Sequence, residues 1–490
     1  MGRPFLISTK GRDVMDKELL YRTIEEKAPV ITGLSDRIWE YAELSMMEVQ
    51  SAADYISVLK AEGFQVRENL CGIATAFSGS YGSGKPVIGF LGEFDALSGL
   101  SQIAGLDQPM PIMDGACGHG CGHNLLGAGS LGAAIAVKKA IEDGLLSGTV
   151  VFYGCPGEEG CAGKTFMARD GMFRDLDAAL TWHPGDTNEI TIGSNAASIQ
   201  MEYHFSGISS HAADDPWNGR SALDAAELMN VGVQFLREHM RPKESIHYSF
   251  ADAGSLSPNV VQSSATLIYM IRSESVRTAK SLARRVDDIA RGAALMTGTS
   301  VTSHQIDGTA NTLSNGVLEQ LLHDNMAAAP LPEYTEEEII LAKQMKATFA
   351  PGPLPGLLTN EDPRLRKIVT EKTQNGHLAM NNFVFPYLPS YKFSPGSTDV
   401  GDVSWLTPTA QFTTAVWPSG SPGHSWQNVS VGRTSLAHKG MLLAAKILAA
   451  TAADLMEQPE LLARAREEFD FTAAEGYDCP IGPEVVPVIG

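Results

Sequence analysis

The apolar positions of the first 196 residues alternate between helical and strand-like segments. Three segments have apolar residues at helical spacing and predict amphipathic helices, namely 13–27, 32–41 and 49–62. Three continuous apolar runs predict buried strands, namely 87–93, 149–154 and 178–182. A small-residue helix is predicted over 127–143, between the first two of these strands. Apolar strands separated by helices are typical of a mixed, mostly parallel sheet flanked by helices on both faces.

The middle of the chain has a different pattern, in which strands and helices follow the order β-α-β-β-α-β. The predicted strands are 198–206, 245–254, 265–272 and 300–306, and the predicted helices are 221–239 and 276–295. This order is that of the ferredoxin-like split unit. We therefore expect an inserted α+β domain at 197–308 between two parts of an α/β domain, 1–196 and 309–490.

Length and charge narrow the class of protein. At 490 residues the chain is too long for one ordinary core, which favours two domains. Its formal charge of -20 disfavours a nucleic-acid partner, because contact with the phosphate backbone needs a basic face. Charged residues throughout 1–20 argue against a secretory signal, and no apolar run approaches the about 20 residues of a membrane span. We therefore expect a cytoplasmic protein that binds neither nucleic acid nor membrane.

Four of the six cysteines lie between 117 and 161, beside His and Glu residues, which favours a metal site or a reactive thiol over disulfides. Within this region, Cys121 and His123 flank a glycine in the glycine-rich segment GHGCGHN. Thiolate and imidazole are both good ligands for a metal such as zinc, and the glycines allow the backbone to turn tightly around an ion. The alternative is a glycine-rich loop with a cysteine in the core.

A pair of carboxylates, Glu158 and Glu159, follows the predicted strand 149–154 in the segment PGEEG. Open α/β sheets place their sites at such strand ends. Adjacent unpaired carboxylates would repel each other there, whereas a cation would stabilise them. One carboxylate can then bind metal while its neighbour acts as a general base on water. The alternative is a solvated turn.

Two single histidines complete the candidate set. His183 follows the predicted strand 178–182, and His424 lies in a Gly/Pro/Ser loop. Each histidine taken alone is more often a packed or capping residue than a ligand. The metal hypothesis therefore rests on all four segments together, because a glycine-rich loop, two strand ends and a late loop each provide a ligand type.

In this order the motifs resemble the aminoacylase/carboxypeptidase G metallopeptidases. The motifs are GEFDAL with Asp95, CGHN, PGEEG, WHP, SHAA at 210–213, GSTDVGD and PGH. The likeness is greatest to the amidohydrolase branch, which has Cys-Gly-His in place of a His-x-Asp ligand motif, and it covers nearly the whole chain. It implies a zinc-exopeptidase-like catalytic domain whose inserted domain is a lid and a dimerisation unit.

The resemblance also implies roles for individual residues. The ligands of two divalent ions, Mn or Zn, would be Cys121, His123, Glu159, His183 and His424. Glu158 would be the general base. His211 of the inserted domain would reach the active site of a partner subunit and stabilise the oxyanion. Asn259 and Arg272 would bind the carbonyl and carboxylate groups of the substrate.

Two positions depart from the family pattern. Glu93 stands where other branches carry a His ligand, so we expect Asp95 to orient the site rather than to bind metal. Asn124 stands where the branch usually has Asp. This neutral side chain lowers the negative charge of the site and leaves the occupancy of the second metal position open.

The resemblance implies an amidohydrolase that cleaves a carboxylate-bearing N-acyl amino acid, with p-aminobenzoyl-glutamate or a related acyl-glutamate as the leading substrate. It also implies a homodimer or a pairing with a sister subunit. A dipeptidase or a broader N-acyl-L-amino-acid hydrolase is the alternative within this class. Hypotheses of other classes are a non-catalytic partner subunit and a thiol-dependent enzyme that uses Cys121 or Cys155.

Overall fold

The computed structural model describes residues 15–488, which form two main sheets with helices packed on them. The helices are α1 Glu18–Tyr41, α2 Val49–Ala61, α3 His123–Glu142, α4 Gly163–Arg169, α5 Ala222–Arg237, α6 Val276–Thr297, α7 Gly316–Ala328, α8 Glu336–Lys346, α9 Pro363–Lys372, α10 Val400–Ser404, α11 Trp426–Val431, α12 Ser435–Glu457 and α13 Pro459–Thr472. The strands are β1 Gln65–Glu68, β2 Phe77–Ser83, β3 Val87–Glu93, β4 Gly148–Cys155, β5 Ala178–Gly185, β6 Glu189–Ile190, β7 Ser194–Asn195, β8 Ala197–Ser206, β9 Ser245–Asp252, β10 Ser264–Ser273, β11 Ser300–Thr309, β12 Phe393–Ser394 and β13 Thr409–Ala415.

The larger sheet has seven strands in the order β1-β2-β4-β3-β5-β13-β6. Its four neighbouring strands β4, β3, β5 and β13 are parallel, whereas the remaining pairings, at the two edges, are antiparallel. Helices α1, α3 and α12 pack together on one face, and α4 and α10 cover part of the other. This mixed sheet between helices confirms the predicted fold class, and it aligns four carboxyl strand ends along one edge.

The smaller sheet is antiparallel, with the strand order β11-β8-β10-β9. Helices α5 and α6 pack on one of its faces, where Tyr203, Phe205, Tyr269 and other apolar side chains form a separate core. The chain therefore has the β-α-β-β-α-β unit that the sequence pattern predicts. The assignment of 197–308 as a lid and dimerisation domain stays a prediction.

One sequence expectation is corrected in the first helix. The periodicity predicted two helices, 13–27 and 32–41, but α1 is continuous from Glu18 to Tyr41 and contains Pro29. Pro29 is exposed, so that its missing N–H is on the solvent side, while Ile24 and Ile31 on either side of it are buried. Packing of this apolar face against α3 and α12 keeps the helix intact through the proline. The beginning of the predicted first helix lies outside the described residues.

A second correction concerns the helix that was predicted to begin at residue 127. Helix α3 begins four residues earlier, at His123, directly after Gly122 in a left-handed conformation with φ 81°. The sequence pattern gave no apolar periodicity for this first turn, because His123 and Asn124 are polar residues that are nevertheless fully buried. The earlier start fixes the backbone of His123 within a regular helix rather than in a loop.

The segment after α13 connects the two sheets. Arg169 of α4 donates to the carbonyl oxygen of Val485 at 2.7 Å, and Gln305 of β11 donates to that of Pro480 at 2.8 Å. The Tyr477 hydroxyl donates to Asp402 of α10 at 2.7 Å. These bonds hold the smaller sheet against the α4 and α10 side of the larger one. Over residues 15–488, no helix combines the length and apolar character needed to cross a membrane.

Candidate metal centre

The candidate ligands lie along the edge formed by the carboxyl ends of the four parallel strands. Strand β3 ends at Glu93, β4 ends directly before the PGEEG segment, and His183 lies near the end of β5. The loop that follows β13 carries His424, and the loop before α3 carries Cys121. Since β4, β3, β5 and β13 are adjacent in the sheet, residues far apart in sequence converge at one edge.

Two glycines allow the loops to approach closely enough for this convergence. A Cβ on Gly122 would lie 2.7 Å from Trp417 and 3.0 Å from Pro184, and its φ of 81° disfavours other residues. A Cβ on Gly120 would lie 2.5 Å from Leu100 and 3.4 Å from the backbone of His424. The glycine-rich segment around Cys121 therefore brings the strand-end loop of β5 and the His424 loop together.

Two groups of potential metal ligands share Cys121. One consists of Cys121, His123 and His183, and the other of Cys121, Glu159 and His424. In each group the candidate atoms lie within 4.8 Å of one another, and Cys121 Sγ is 3.4 Å from His183 Nε2. His123 Nε2 and Glu159 Oε1 are buried and have no hydrogen-bond partner among the described residues. Because imidazole, carboxylate and thiolate ligands suit zinc or manganese, these residues fit a pair of divalent ions with a common thiolate.

The two buried imidazoles are oriented by their other ring nitrogens. His123 Nδ1 lies 2.8 Å from Asp95 Oδ1, and His183 Nδ1 lies 2.8 Å from the carbonyl oxygen of Pro184. If each Nδ1 donates to its oxygen partner, both Nε2 atoms keep a lone pair for a metal. Asp95 also accepts from Ser45 and from the backbone N–H of Glu159. Asp95 therefore contacts two candidate ligands, and within residues 15–488 it belongs to neither ligand group that shares Cys121. That it orients the site rather than binds metal stays a prediction.

The surroundings shift the ionisation of several of these groups. Burial alone would raise the pKa of Asp95, but the hydrogen bond and charge of His123 outweigh it and hold this pKa at about 2. Burial raises the pKa of the Cys121 thiol to about 12, so that a thiolate would form as a cation binds. Burial, together with the charges of Glu93 and Asp399, raises the pKa of Glu158 well above its usual value. A carboxylate that holds a proton readily is suited to proton transfer.

Comparison with known proteins identifies the family. Residues 91–400 match the model of peptidase family M20/M25/M40. The chain belongs to this family. The resemblance inferred from the motifs is thereby confirmed, and this M20-family chain is a hydrolase that acts on amide bonds.

Two sequence relatives and one solved structure show what this chain is similar to. It is 44% identical over 483 residues to a subunit of the p-aminobenzoyl-glutamate hydrolase of Escherichia coli strain K12, an alignment covering 96% of this chain and 98% of the relative. It is 28% identical to Xaa-Arg dipeptidase of Mus musculus, covering 91% and 90% of the two chains. The structure of a dinuclear metal-binding peptidase of the M20 family from Bacillus subtilis matches with a TM-score of 0.54 and 16% identity, covering 91% and 100%. At that identity the last match concerns the fold alone.

Asn124, the second departure from the motif of the M20 amidohydrolase branch, makes hydrogen bonds to two other parts of the fold. Its side-chain amide donates to Ser35 at 3.0 Å and to the carbonyl oxygen of Gly432 at 3.1 Å. Asn124 thus ties the first turn of α3 to α1 and to the end of α11.

Sequence reasoning missed two charged residues that support the site. Glu48 is buried, and its carboxylate accepts from the backbone N–H of Gly157 at 2.8 Å, which fixes the PGEEG segment. Lys164, on the helix after that segment, is fully buried between Glu93 and Asp399. A single charged residue near the start of a helix is usually solvated, so the sequence pattern did not predict that Glu48 or Lys164 is buried. The one indication was that Lys164 follows the PGEEG segment closely in sequence.

Of the three residues predicted to contact the substrate, His211 and Asn259 lie together and Arg272 lies elsewhere on the smaller sheet. His211 and Asn259 are exposed neighbours on the smaller sheet's loops, where Ala212 N–H donates to the Asn259 carbonyl at 2.9 Å. Within residues 15–488 of one chain, His211 belongs to neither of the ligand groups that share Cys121. Arg272 is half-buried on the sheet face away from α5 and α6, and its Nε lies 3.5 Å from Ser397 Oγ. Arg272 therefore lies at the junction of the two sheets.

Proposed function

We propose that this chain is a metal-dependent amidohydrolase that cleaves an N-acyl amino acid, with p-aminobenzoyl-glutamate or a related acyl-glutamate as its substrate. The observation that carries the proposal is the pair of ligand groups joined at Cys121, with Glu158 close to His123. The 44% identical relative is named for hydrolysis of p-aminobenzoyl-glutamate, which supports this substrate. We also propose a cytoplasmic location, which is supported by the six cysteines being free thiols, as is usual in a reducing compartment.

In the proposed mechanism, Cys121, His123, His183, Glu159 and His424 would hold two divalent ions. Bound there, such ions would polarise the amide carbonyl and lower the pKa of water. Glu158 would accept a proton from the attacking water and deliver it to the amine nitrogen as the C–N bond breaks. Arg272 would bind the carboxylate of the substrate, since a guanidinium can donate two parallel hydrogen bonds to it. The products are a carboxylic acid and an amino acid.

Of the alternatives, one is supported by a particular observation. The Xaa-Arg dipeptidase relative favours a dipeptidase, which would use the same centre on a different substrate. A thiol-dependent mechanism is less well supported, because burial raises the pKa of both Cys121 and Cys155 to about 12 and disfavours a free thiolate at neutral pH. Retention of Glu158 beside the ligand groups argues against a non-catalytic subunit.

A substrate panel tests the proposed function. The protein, reconstituted with Mn or Zn, is assayed with p-aminobenzoyl-glutamate, other N-acyl amino acids and dipeptides, and kcat/KM is measured for each. We expect the highest value for the acyl-glutamate, and loss of activity on chelation followed by recovery when metal is returned. Higher kcat/KM for dipeptides would make the chain a dipeptidase. Absence of any turnover would favour the non-catalytic subunit.

We further propose that the partner's His211 completes each active site in a homodimer; pairing with a sister subunit is the alternative assembly. The exposure of His211 and its place outside the ligand groups of its own chain support a role across an interface. The 44% identical relative is itself named as one subunit of a hydrolase, which supports an oligomeric assembly. A histidine donor from the partner would stabilise the oxyanion.

Mixed dimers of two inactive variants test the role of His211. Glu158→Ala and His211→Ala chains are coexpressed with different tags, and the mixed dimer is purified and assayed. It contains one site with both Glu158 and the partner's His211, so it should have about half of wild-type activity. If His211 acted within its own chain, the mixed dimer would be inactive. His247→Ala, on β9 of the same sheet, is the matched control and should retain activity alone.

A further inference from the structure

A buried charge cluster lies directly behind the candidate metal centre. Lys164 Nζ is 2.7 Å from Glu93 Oε1 and 2.5 Å from Asp399 Oδ1, and all three side chains are almost completely buried. Asp399 also accepts from the backbone N–H of Lys164 at 2.8 Å. The cluster thereby connects the end of β3, the first turn of α4 and the residue before α10.

The cluster reaches the proposed ligands through the second oxygen of Glu93. Glu93 Oε2 lies 3.3 Å from His123 Nε2, yet within residues 15–488 neither atom has a hydrogen-bond partner. Candidate ligand atoms of Glu93, His123 and Glu158 lie within 4.8 Å of one another and form a third potential metal group. A carboxylate in this position competes with the other ligands for a cation unless its charge is bound elsewhere.

The ammonium of Lys164 is the positive charge that binds the Glu93 carboxylate. It contacts the Oε1 atom of Glu93, so the carboxylate is held by a cation of the chain itself. Because the candidate ligand atoms of Glu93 and Glu158 lie within 4.8 Å of each other, an ammonium bound to Glu93 also reduces the repulsion between these two carboxylates. Burying a lysine costs desolvation free energy, which its contacts with two carboxylates offset. In this position the Lys164 ammonium neutralises negative charge on Glu93 and Asp399.

We propose that Lys164 is a positioning residue of the hydrolase: its ammonium, anchored by Asp399, holds Glu93 out of the metal coordination and keeps Glu158 in place as the base. This inference rests on the proposed function and deepens it. Lys164 touches no substrate atom and acts through Glu93 and Glu158. Its loss should therefore affect the chemical step and the geometry of the metal centre more than substrate binding.

The test uses variants that separate positioning from folding. Lys164→Met alone leaves two buried carboxylates without a cation and can prevent folding, whereas Lys164→Met/Asp399→Leu removes a pair together, which proteins tolerate better. For the double variant we expect kcat to fall at least about 10-fold with KM within about twofold of wild type. Lys164→Arg keeps the charge and should recover part of kcat.

The second readout is the visible absorption spectrum of the Co(II)-loaded protein, which reports the ligand geometry independently of activity. We expect the double variant to bind Co(II) with a shifted spectrum, because Glu93 becomes free to coordinate. A folded double variant with wild-type kcat and an unchanged Co(II) spectrum would overturn the proposal. If instead the wild-type chain hydrolyses no amide, the proposed function fails, while the Co(II) spectra still decide whether Lys164 shapes the centre.

Discussion

Replacement of Glu158 by alanine is expected to abolish amide hydrolysis while leaving the metal content close to that of the wild type. Glu158 is outside both ligand groups that share Cys121 and belongs only to the third group, with Glu93 and His123, to which the proposed mechanism assigns no ion; its loss should therefore not remove a metal ligand. It is close to His123 and has a raised pKa, which suits a residue that accepts a proton and later donates it. We expect kcat to fall about 10³-fold or more, since proton transfer by a positioned side chain contributes on this scale.

The measurements are steady-state kinetics with p-aminobenzoyl-glutamate and elemental analysis of the purified variant. Glu158→Gln is the companion variant, because it keeps the size of the side chain and removes only the ability to accept a proton. Both variants should be equally inactive. Turnover close to the wild-type value in either one would eliminate Glu158 as the base, whereas loss of metal would mean that it is a ligand.

Replacement of Cys121 by serine is expected to deplete both metal positions, because this sulfur is the one atom common to the two ligand groups. A neutral hydroxyl is a much poorer ligand than a thiolate for zinc or manganese. We expect metal affinity and kcat/KM to fall at least about 100-fold. Mutation of residues that only hydrogen-bond to metal ligands already lowers affinity or activity by up to about 100-fold. Titration with Zn or Mn, followed by kinetics at each metal concentration, measures both quantities.

Two other cysteines provide matched controls for this experiment. Cys117 lies in the same loop, and Cys155 is fully buried at the end of β4; neither belongs to a ligand group within the described part of the chain. Cys117→Ser and Cys155→Ser should keep both metal content and activity. Loss of activity in Cys155→Ser with its metal retained would instead support the thiol-dependent hypothesis with Cys155 as the thiol. Full activity of metal-depleted Cys121→Ser would contradict both the metal-dependent mechanism and a catalytic Cys121 thiol.

Sequence analysis found the site residues that lie in clustered motifs and missed those that are single buried charges. Cys121, His123 and the PGEEG segment stand in motifs where several ligand-type residues and glycines occur together, and such a combination is visible in one dimension. Glu48 and Lys164 are single charged residues, and their significance comes from full burial beside a loop that is distant in sequence or in a different element. A pattern of polar and apolar positions predicts a solvated face for each of them.

The amino-acid sequence alone determined the two-sheet organisation, the family and the set of candidate ligands, because local periodicity and ordered motifs carry these features. Only the tertiary structure decided that Cys121 is common to two groups, since this depends on four adjacent parallel strands ending at one edge. It likewise decided that α1 continues through Pro29 and that Lys164 is buried against Glu93. These outcomes arise from packing between distant segments, whose free energy overrides the local preference of each residue.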